Sequence, residues 1–155
     1  MIYSKPELVC LAESEALKQH FDPALVCSLV EVLSGWNPAK MEARDTMASN
    51  PALQYENPEE YQVMSHCIGL MQFTGLQARA LGYTQKLEDL LQPELNLEIG
   101  IKVLINSLAV TTKRLQQALV VMYGYSIASL IPKIVSKIKP YEEFLASPLR
   151  PSVQS

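Results

Sequence analysis

Residues 30–38 read Val-Glu-Val-Leu-Ser-Gly-Trp-Asn-Pro, and the fold is inferred outward from this stretch. Upstream of it, Asp22 is placed to cap a helix, and Pro23 suits the first helical position, where a missing N–H costs nothing. Apolar residues then recur at three- and four-residue spacing up to the glycine, which predicts an apolar helical stripe. Gly35 reaches left-handed backbone angles without a steric cost, so it is predicted to end the helix. Trp36, the only tryptophan, either fills the core or walls a cleft.

Composition limits the chain to one globular domain. It has 155 residues, of which 48% are hydrophobic and 19% charged, so it is long and apolar enough to bury a core. A net charge of -3 without a basic run argues against nucleic acid and an anionic membrane as the main partner. The three cysteines lack paired metal-ligand spacing and are expected to be reduced.

The sequence also bears on where the protein is made. Its N-terminus shows no signal peptide, and no uninterrupted apolar segment is long enough to cross a bilayer. We therefore expect synthesis in the cytoplasm without a signal peptide and without a membrane span. A function outside the cell would then need another export route.

The rest of the chain is predicted to be mostly helical, without convincing strand alternation. The expected helices share amphipathic spacing or clear end signals: one from the Ser4–Glu7 capping box to about His20, short ones over 76–81 and from Thr84 to Leu91, a long one from Pro93, one over 113–125, and one or two bracketed by Pro132 and Pro140. A further short helix is possible over 39–48. In the long helix, Asn96 and Gly100 interrupt the apolar face, which suggests close packing against a neighbour. We divide the chain into a helical domain, 1–146, and a polar tail, 147–155.

Two stretches between the helices carry polar groups that suit a site. Residues 54–61 are polar, acidic and aromatic, and this stretch is too long for a simple connection, so it forms either a functional loop, a flap or a solvated loop. His66 adjoins Cys67, but a second ligand pair at metal spacing is missing, so we predict no metal site and no cofactor. Gln72 lies in an apolar segment and needs hydrogen-bond partners if it is buried.

Three blocks, taken in order, resemble the lytic transglycosylase and goose-type lysozyme superfamily in its short, phage- or prophage-like form. The first block, 22–38, is similar to a family helix that ends in Glu-Ser-Gly-Trp-Asn-Pro. The second is the tetrapeptide Gly-Leu-Met-Gln at 69–72, followed by 80–83. The third, 93–100, is similar to the start of a family helix with the pattern Asn-x-x-x-Gly. Residues 54–56, Gln-Tyr-Glu, resemble an Arg-Tyr-Glu-Pro loop of some members. The resemblance implies a mostly α, lysozyme-like domain with a long loop before Gly-Leu-Met-Gln. We expect a monomer that binds peptidoglycan glycan strands, at the bacterial cell wall or in a phage particle if it is exported.

The catalytic position departs from the family. The resemblance implies a Glu directly before Ser34, which protonates the glycosidic oxygen between the two peptidoglycan sugars and then acts as a base, whereas this chain has Leu33. A leucine has no proton to give. Glu31 lies about 200° round the helix from Leu33 and points away from it. Glu56, Glu59 or Glu60 on the loop could take the place of the missing acid, and Glu56 is the most plausible of the three.

Other positions near the presumed site depart as well. Where the family has Ala-Tyr-Asn-Ala-Gly, residues 122–126 read Met-Tyr-Gly-Tyr-Ser. The family's tyrosine is therefore present as Tyr123, but its neighbours differ. The resemblance implies that this tyrosine helps to position the catalytic carboxylate. Gln54 stands where the loop resemblance expects Arg. An engineered knockout would leave the remaining motif intact, so the pattern favours natural drift over an introduced change at Leu33.

Three functions stay open from the sequence. We favour a peptidoglycan-binding module with weakened or lost cleavage of the MurNAc-GlcNAc bond, its groove lined by Ser34, Trp36, Tyr55, Ser65, Met71, Gln72 and Tyr123. The second is an active lytic transglycosylase or lysozyme, with Glu56 as the acid or with Leu33 as an introduced change. The third is a structural or interaction module of a phage particle. The alternative interpretation of Leu33, Trp36 and Met71 is that they are core residues.

Overall fold

The computed structural model describes residues 3–43, 66–112, 114–148 and 150. Its helices and strands are, in chain order, α1 (Lys5–Lys18), α2 (Pro23–Ser34), β1 (Met41–Ala43), β2 (His66–Ile68), β3 (Phe73–Thr74), α3 (Gly75–Ala80), α4 (Pro93–Val110), α5 (Leu115–Tyr123) and α6 (Ile131–Ala146). Short 3-10 helices, Leu87–Leu91 and Tyr125–Ser129, precede α4 and α6. This mostly helical architecture confirms the expected fold class. Within the described residues, none of the helices is long and apolar enough to cross a membrane.

The central helix, α2, begins and ends as the sequence predicts. The Asp22 carboxylate accepts a hydrogen bond from the Ala24 N–H at 3.0 Å, and Pro23 occupies the first turn. Gly35 has φ +60° and ends the helix, with its N–H donating to the Glu31 carbonyl at 3.0 Å. Because α1 and α6 both pack against α2, most of its side chains are buried. The core is therefore built around this helix.

The core continues from α2 into the second half of the chain. α1 packs on α4 as well as on α2, and α4 in turn packs on α5. Fully buried side chains from these elements and from the sheet join one apolar cluster, among them Leu29, Phe73, Leu97, Leu104 and Leu119. The strands and the end of α2 are thus fixed against a common core.

The structure adds a small antiparallel sheet that the sequence pattern did not indicate. β1 pairs with β2 and β2 with β3, so the helix allowed over 39–48 is wrong where Met41–Ala43 forms a strand. Ile68 lies opposite Phe73, and both are fully buried, while Glu42 lies opposite Cys67 and is exposed. Strands of two or three residues offer too few positions for an alternating pattern to be recognised.

Several helix boundaries also differ from the sequence expectation. The helix expected over 113–125 is Leu115–Tyr123, because Gly124 takes φ +86° and ends it. The helix expected from Thr84 is the shorter 3-10 segment Leu87–Leu91. Only one helix, α6, covers the stretch between Pro132 and Ala146, with Pro140 inside it. Pro140 removes one helical hydrogen bond, but Ile134 and Tyr141 on either side of it are buried, and their packing outweighs that loss.

The described chain after α6 returns to the first helix at Arg150. Its guanidinium contacts both carboxylate oxygens of Glu13, at 2.6 and 3.1 Å. Such a two-pronged ion pair is the strongest geometry for arginine and a carboxylate. It joins residues 137 positions apart in the sequence.

Candidate functional site

Lys40 connects three segments at the C-terminal end of α2. Its backbone carbonyl accepts hydrogen bonds from the Gly69 N–H at 2.8 Å and from Gln72 Nε2 at 3.1 Å. Its side-chain Nζ donates to the Leu33 carbonyl at 2.6 Å and pairs with the Glu42 carboxylate at 3.1 Å. The end of α2, the start of the sheet and the Gly-Leu-Met-Gln turn therefore meet at one place.

The Gln72 side chain lies inside this meeting point. Only 3% of the residue is exposed, and Nε2 also donates to the Gly69 carbonyl at 2.8 Å. Its Oε1 is buried and has no hydrogen-bond donor within the described part of the chain. Gln72 also has φ +54°, a left-handed conformation that is uncommon for residues other than glycine. The turn thus holds a constrained amide whose Oε1 accepts no hydrogen bond from the described residues.

Asn96 of α4 holds the backbone of the same turn. Its Oδ1 accepts from the Met71 N–H at 3.0 Å, and its Nδ2 donates to the Ile68 carbonyl at 3.1 Å. Gly69 has φ +69°, and a Cβ there would lie 2.1 Å from Asn96 Nδ2. A Cβ on Gly100 would lie 2.7 Å from the Met71 sulfur. The close packing suggested for Asn96 and Gly100 is confirmed, and the neighbour is this turn.

Tyr123 approaches the turn from α5. Its hydroxyl donates to the Met71 carbonyl at 2.8 Å, and only 8% of the residue is exposed. Gln77 Nε2 donates to the Met122 carbonyl at 2.7 Å, which links α3 to the end of α5. The structure therefore brings Met71, Gln72 and Tyr123 together, and all three are buried.

Leu33, Ser34 and Trp36 are buried at the end of α2. Leu33 is 9% and Trp36 6% exposed. The Ser34 hydroxyl donates to the Val30 carbonyl of its own helix at 2.9 Å. The Trp36 indole N–H donates to the Tyr141 hydroxyl of α6 at 3.1 Å. Of the two interpretations of Trp36, the structure therefore favours a core position.

Glu31 lies on the side of α2 that faces α1 and α6. Its carboxylate accepts from the Tyr141 hydroxyl at 2.6 Å, contacts Lys137 Nζ at 2.6 Å and lies 3.6 Å from Lys5 Nζ. Burial alone would raise the pKa of Glu31, but the hydrogen bonds from Lys137 and Tyr141 and the two ammonium charges lower it to about 2. Glu31 is therefore ionised at neutral pH and has no proton for a leaving group.

A cavity of about 580 Å³ opens beside Glu31, between α1, α2 and α6. Apolar side chains line much of its wall, including Val9 and Phe144, and Lys5, Lys137 and Arg150 also line it. None of the residues that meet around Lys40 lines this cavity. It is separate from the candidate site.

Tyr55, Glu56 and Ser65 lie outside the described residues. Around His66 and Cys67, and elsewhere in the described ranges, the structure shows no group of three His, Cys, Asp or Glu side chains that could hold a metal.

Sequence reasoning missed Lys40 and Glu42, which flank the end of α2. Lys40 follows Leu33 by seven positions, and its reach back depends on the turn between them. In that turn the Asn37 side chain accepts from the Ala39 N–H at 3.0 Å, and the Lys40 N–H donates to the Asn37 carbonyl at 3.2 Å. Neither spacing nor residue type signals such a contact in advance.

Comparison with known proteins identifies one family. Residues 11–127 match the family model described as Transglycosylase SLT domain. This range includes the end of α2, the turn held by Asn96, and Tyr123, so it contains the whole described candidate site. Comparison with curated proteins gives no match. Comparison with solved structures gives none either.

Proposed function

Since the chain belongs to the transglycosylase SLT domain family, we propose that it binds peptidoglycan glycan strands in a lysozyme-like cleft and cleaves them weakly or not at all. The cleft is the candidate site at the end of α2. The observation that carries the proposal is Leu33, which stands where the family resemblance expects the carboxylic acid. We propose further that the protein acts as a monomer, at the bacterial cell wall or in a phage particle.

The chemistry of glycoside cleavage explains why a leucine at position 33 argues for weakened or lost catalysis. An oxocarbenium-like transition state needs a proton on the leaving oxygen, and a carboxylic acid of raised pKa in an apolar pocket supplies it. Loss of a general acid costs about a hundredfold to ten-thousandfold in rate. Glu31 is ionised and faces α6, and Glu42 has 61% of its side chain exposed, so neither offers this environment.

The binding half of the site is better supported than the catalytic half. Asn96 and Tyr123 hold the backbone around Met71 from two helices, and the turn is buried rather than loose. Gln72 Oε1 has no donor among the described residues but is buried, so an N–H or O–H donor of an N-acetylated glycan would reach it only if the turn opens. We infer that recognition survives where catalysis does not.

Binding and cleavage are tested side by side with purified peptidoglycan. We expect the protein to sediment with insoluble sacculi while releasing no soluble muropeptides above the buffer blank. Gln72→Leu should weaken sedimentation at least about tenfold, the cost of one buried polar contact. Gln116→Leu, at an exposed glutamine of α5, is the matched control and should bind normally. Thermal unfolding of each variant shows whether a loss of binding is a loss of fold.

The outcomes separate the competing functions. Muropeptide release by the unaltered protein would overturn the loss of catalysis and direct attention to Glu56→Gln. Failure of the folded protein to bind sacculi would overturn the glycan-binding proposal and favour the interaction module.

A further inference from the structure

The ammonium of Lys40 lies beside the backbone of residue 33, the position at which the family resemblance expects the catalytic acid. Its Nζ is 2.6 Å from the Leu33 carbonyl oxygen, and its side chain is 31% exposed. We propose that Lys40 is a second block to glycosidic cleavage, independent of the leucine at position 33. This inference rests on the proposed function, because it concerns the same cleft.

The ammonium lies close enough to the backbone of residue 33 for a carboxylate restored there to contact it in some rotamers. From the 2.6 Å contact and standard bond lengths, Lys40 Nζ lies at most about 5.4 Å from the Leu33 Cα. A glutamate carboxyl carbon is only three bonds from its own Cα. Because helical side chains tilt toward the N-terminus of their helix, the carboxyl introduced by Leu33→Glu would meet the ammonium in the rotamers that turn back toward the C-terminal end of α2.

Lys40 cannot easily move away from this position. Its backbone carbonyl is bound by Gly69 and Gln72, and its side chain bridges the Leu33 carbonyl and the Glu42 carboxylate. The Leu33 carbonyl is one of the last in α2, and the partial negative charge at a helix C-terminus favours a cation there. The lysine is thus anchored at both ends.

An ammonium in this place opposes acid catalysis. An opposite charge within about 4 to 6 Å lowers a carboxyl pKa by about 1 to 3 units, because it stabilises the ionised form. A general acid must be protonated to act, so each unit lowers the competent fraction at neutral pH about tenfold. Restoring the glutamate alone would therefore produce an acid that is active only at low pH.

Among the described residues, the other charged groups near the end of α2 do not remove this effect. Glu42 of β1 pairs with Lys40, and the strand partner of Glu42 is Cys67. Four more titratable groups belong to the Glu31 network on the face of α2 toward α1 and α6: Glu31, Lys5, Lys137 and Tyr141. Glu42 already pairs with Lys40 at 3.1 Å and competes for its charge. Adding Glu42→Gln to Leu33→Glu should therefore lower the introduced carboxyl's pKa further.

The test compares three proteins that all carry Leu33→Glu. One has no further change, one adds Lys40→Met, and one adds Lys102→Met, at an exposed lysine of α4, as the matched control. Muropeptide release is measured from about pH 4 to about pH 8. We expect Lys40→Met to raise the neutral rate about 10- to 1000-fold and to move the fall in activity up by about 1 to 3 pH units. The control should match Leu33→Glu alone.

A second readout does not depend on cleavage. The pKa of the introduced carboxyl is followed by NMR on protein labelled with carbon-13 at glutamate side chains, and it should rise by about 1 to 3 units when Lys40→Met is added. Lys40→Gln keeps a donor for the Leu33 carbonyl without the charge, and it replaces Lys40→Met if that variant does not fold. A purely structural role for Lys40 predicts lower activity on its removal, the opposite sign.

Failure of this inference and failure of the proposed function look different. An unchanged carboxyl pKa, or unchanged pH profiles in variants that bind sacculi, would overturn the role of Lys40. A shifted pKa in folded variants that neither bind nor cleave sacculi would instead overturn the proposed function.

Discussion

Removing the negative charge of Glu31 should destabilise the contact between α2 and α6 in a pH-dependent way. The Glu31 carboxylate receives the Tyr141 hydroxyl and the Lys137 ammonium, each at 2.6 Å, and its pKa is lowered to about 2. About a quarter of its side chain is exposed, so water screens part of the interaction. We expect Glu31→Gln to lower the free energy of unfolding by about 1 to 2 kcal/mol at pH 7.

The sign of the pH dependence follows from the lowered pKa. A carboxyl that is more acidic in the folded than in the unfolded protein stabilises the fold above its unfolded pKa, near 4.5. That contribution is lost as the pH falls from about 5 toward about 2, so the difference between Glu31→Gln and the unaltered protein should vanish over that range. Urea unfolding at several pH values measures it.

An exposed acid on α6 provides the control for this measurement. Glu142→Gln should change the free energy of unfolding by less than about 0.5 kcal/mol at every pH. The reasoning is refuted if Glu31→Gln is as stable as the unaltered protein at pH 7, or if its deficit persists unchanged at about pH 2.

Three further substitutions probe the turn and the packing of Arg150. Asn96→Ala leaves the Met71 N–H without its acceptor and should lower the free energy of unfolding by about 3 to 5 kcal/mol in urea. Gly69→Ala places a methyl against Asn96 in a left-handed conformation and should cost at least about 2 kcal/mol, seen as a lower Tm. Arg150→Met removes the Glu13 ion pair and should cost about 1 kcal/mol, less in high salt. Unchanged unfolding of any variant would contradict its assigned contact.

The local signals of the sequence predicted the helices well. Asp22, Pro23 and Gly35 act on their own neighbours, so their roles at the ends of α2 can be read directly from the chain. The small residues Asn96 and Gly100 likewise indicated close packing, although not against which segment. Prediction failed where tertiary packing outweighs a local signal. Pro140 was expected to bound a helix, but it lies inside α6 because buried side chains hold both halves of that helix in place.

The candidate site was predictable in part. The resemblance grouped the end of α2 with Gln72 and Tyr123, and the structure brings these segments together through Lys40 and Met71. The contribution of Lys40 depends on a side chain reaching across a turn, which residue spacing does not encode. The core position of Trp36 could not be predicted from its neighbours, because its hydrogen-bond partner Tyr141 lies on α6, 105 residues further along the chain.

The bond between Trp36 and Tyr141 gives the protein a built-in optical reporter. Trp36 is the only tryptophan, so all indole emission comes from one buried ring whose N–H is held by the Tyr141 hydroxyl, which in turn donates to Glu31. Detachment of α6 would expose this ring to water and shift its emission to longer wavelength. Fluorescence alone can therefore follow the docking of the last helix, without a label and separately from the helical signal of the whole chain.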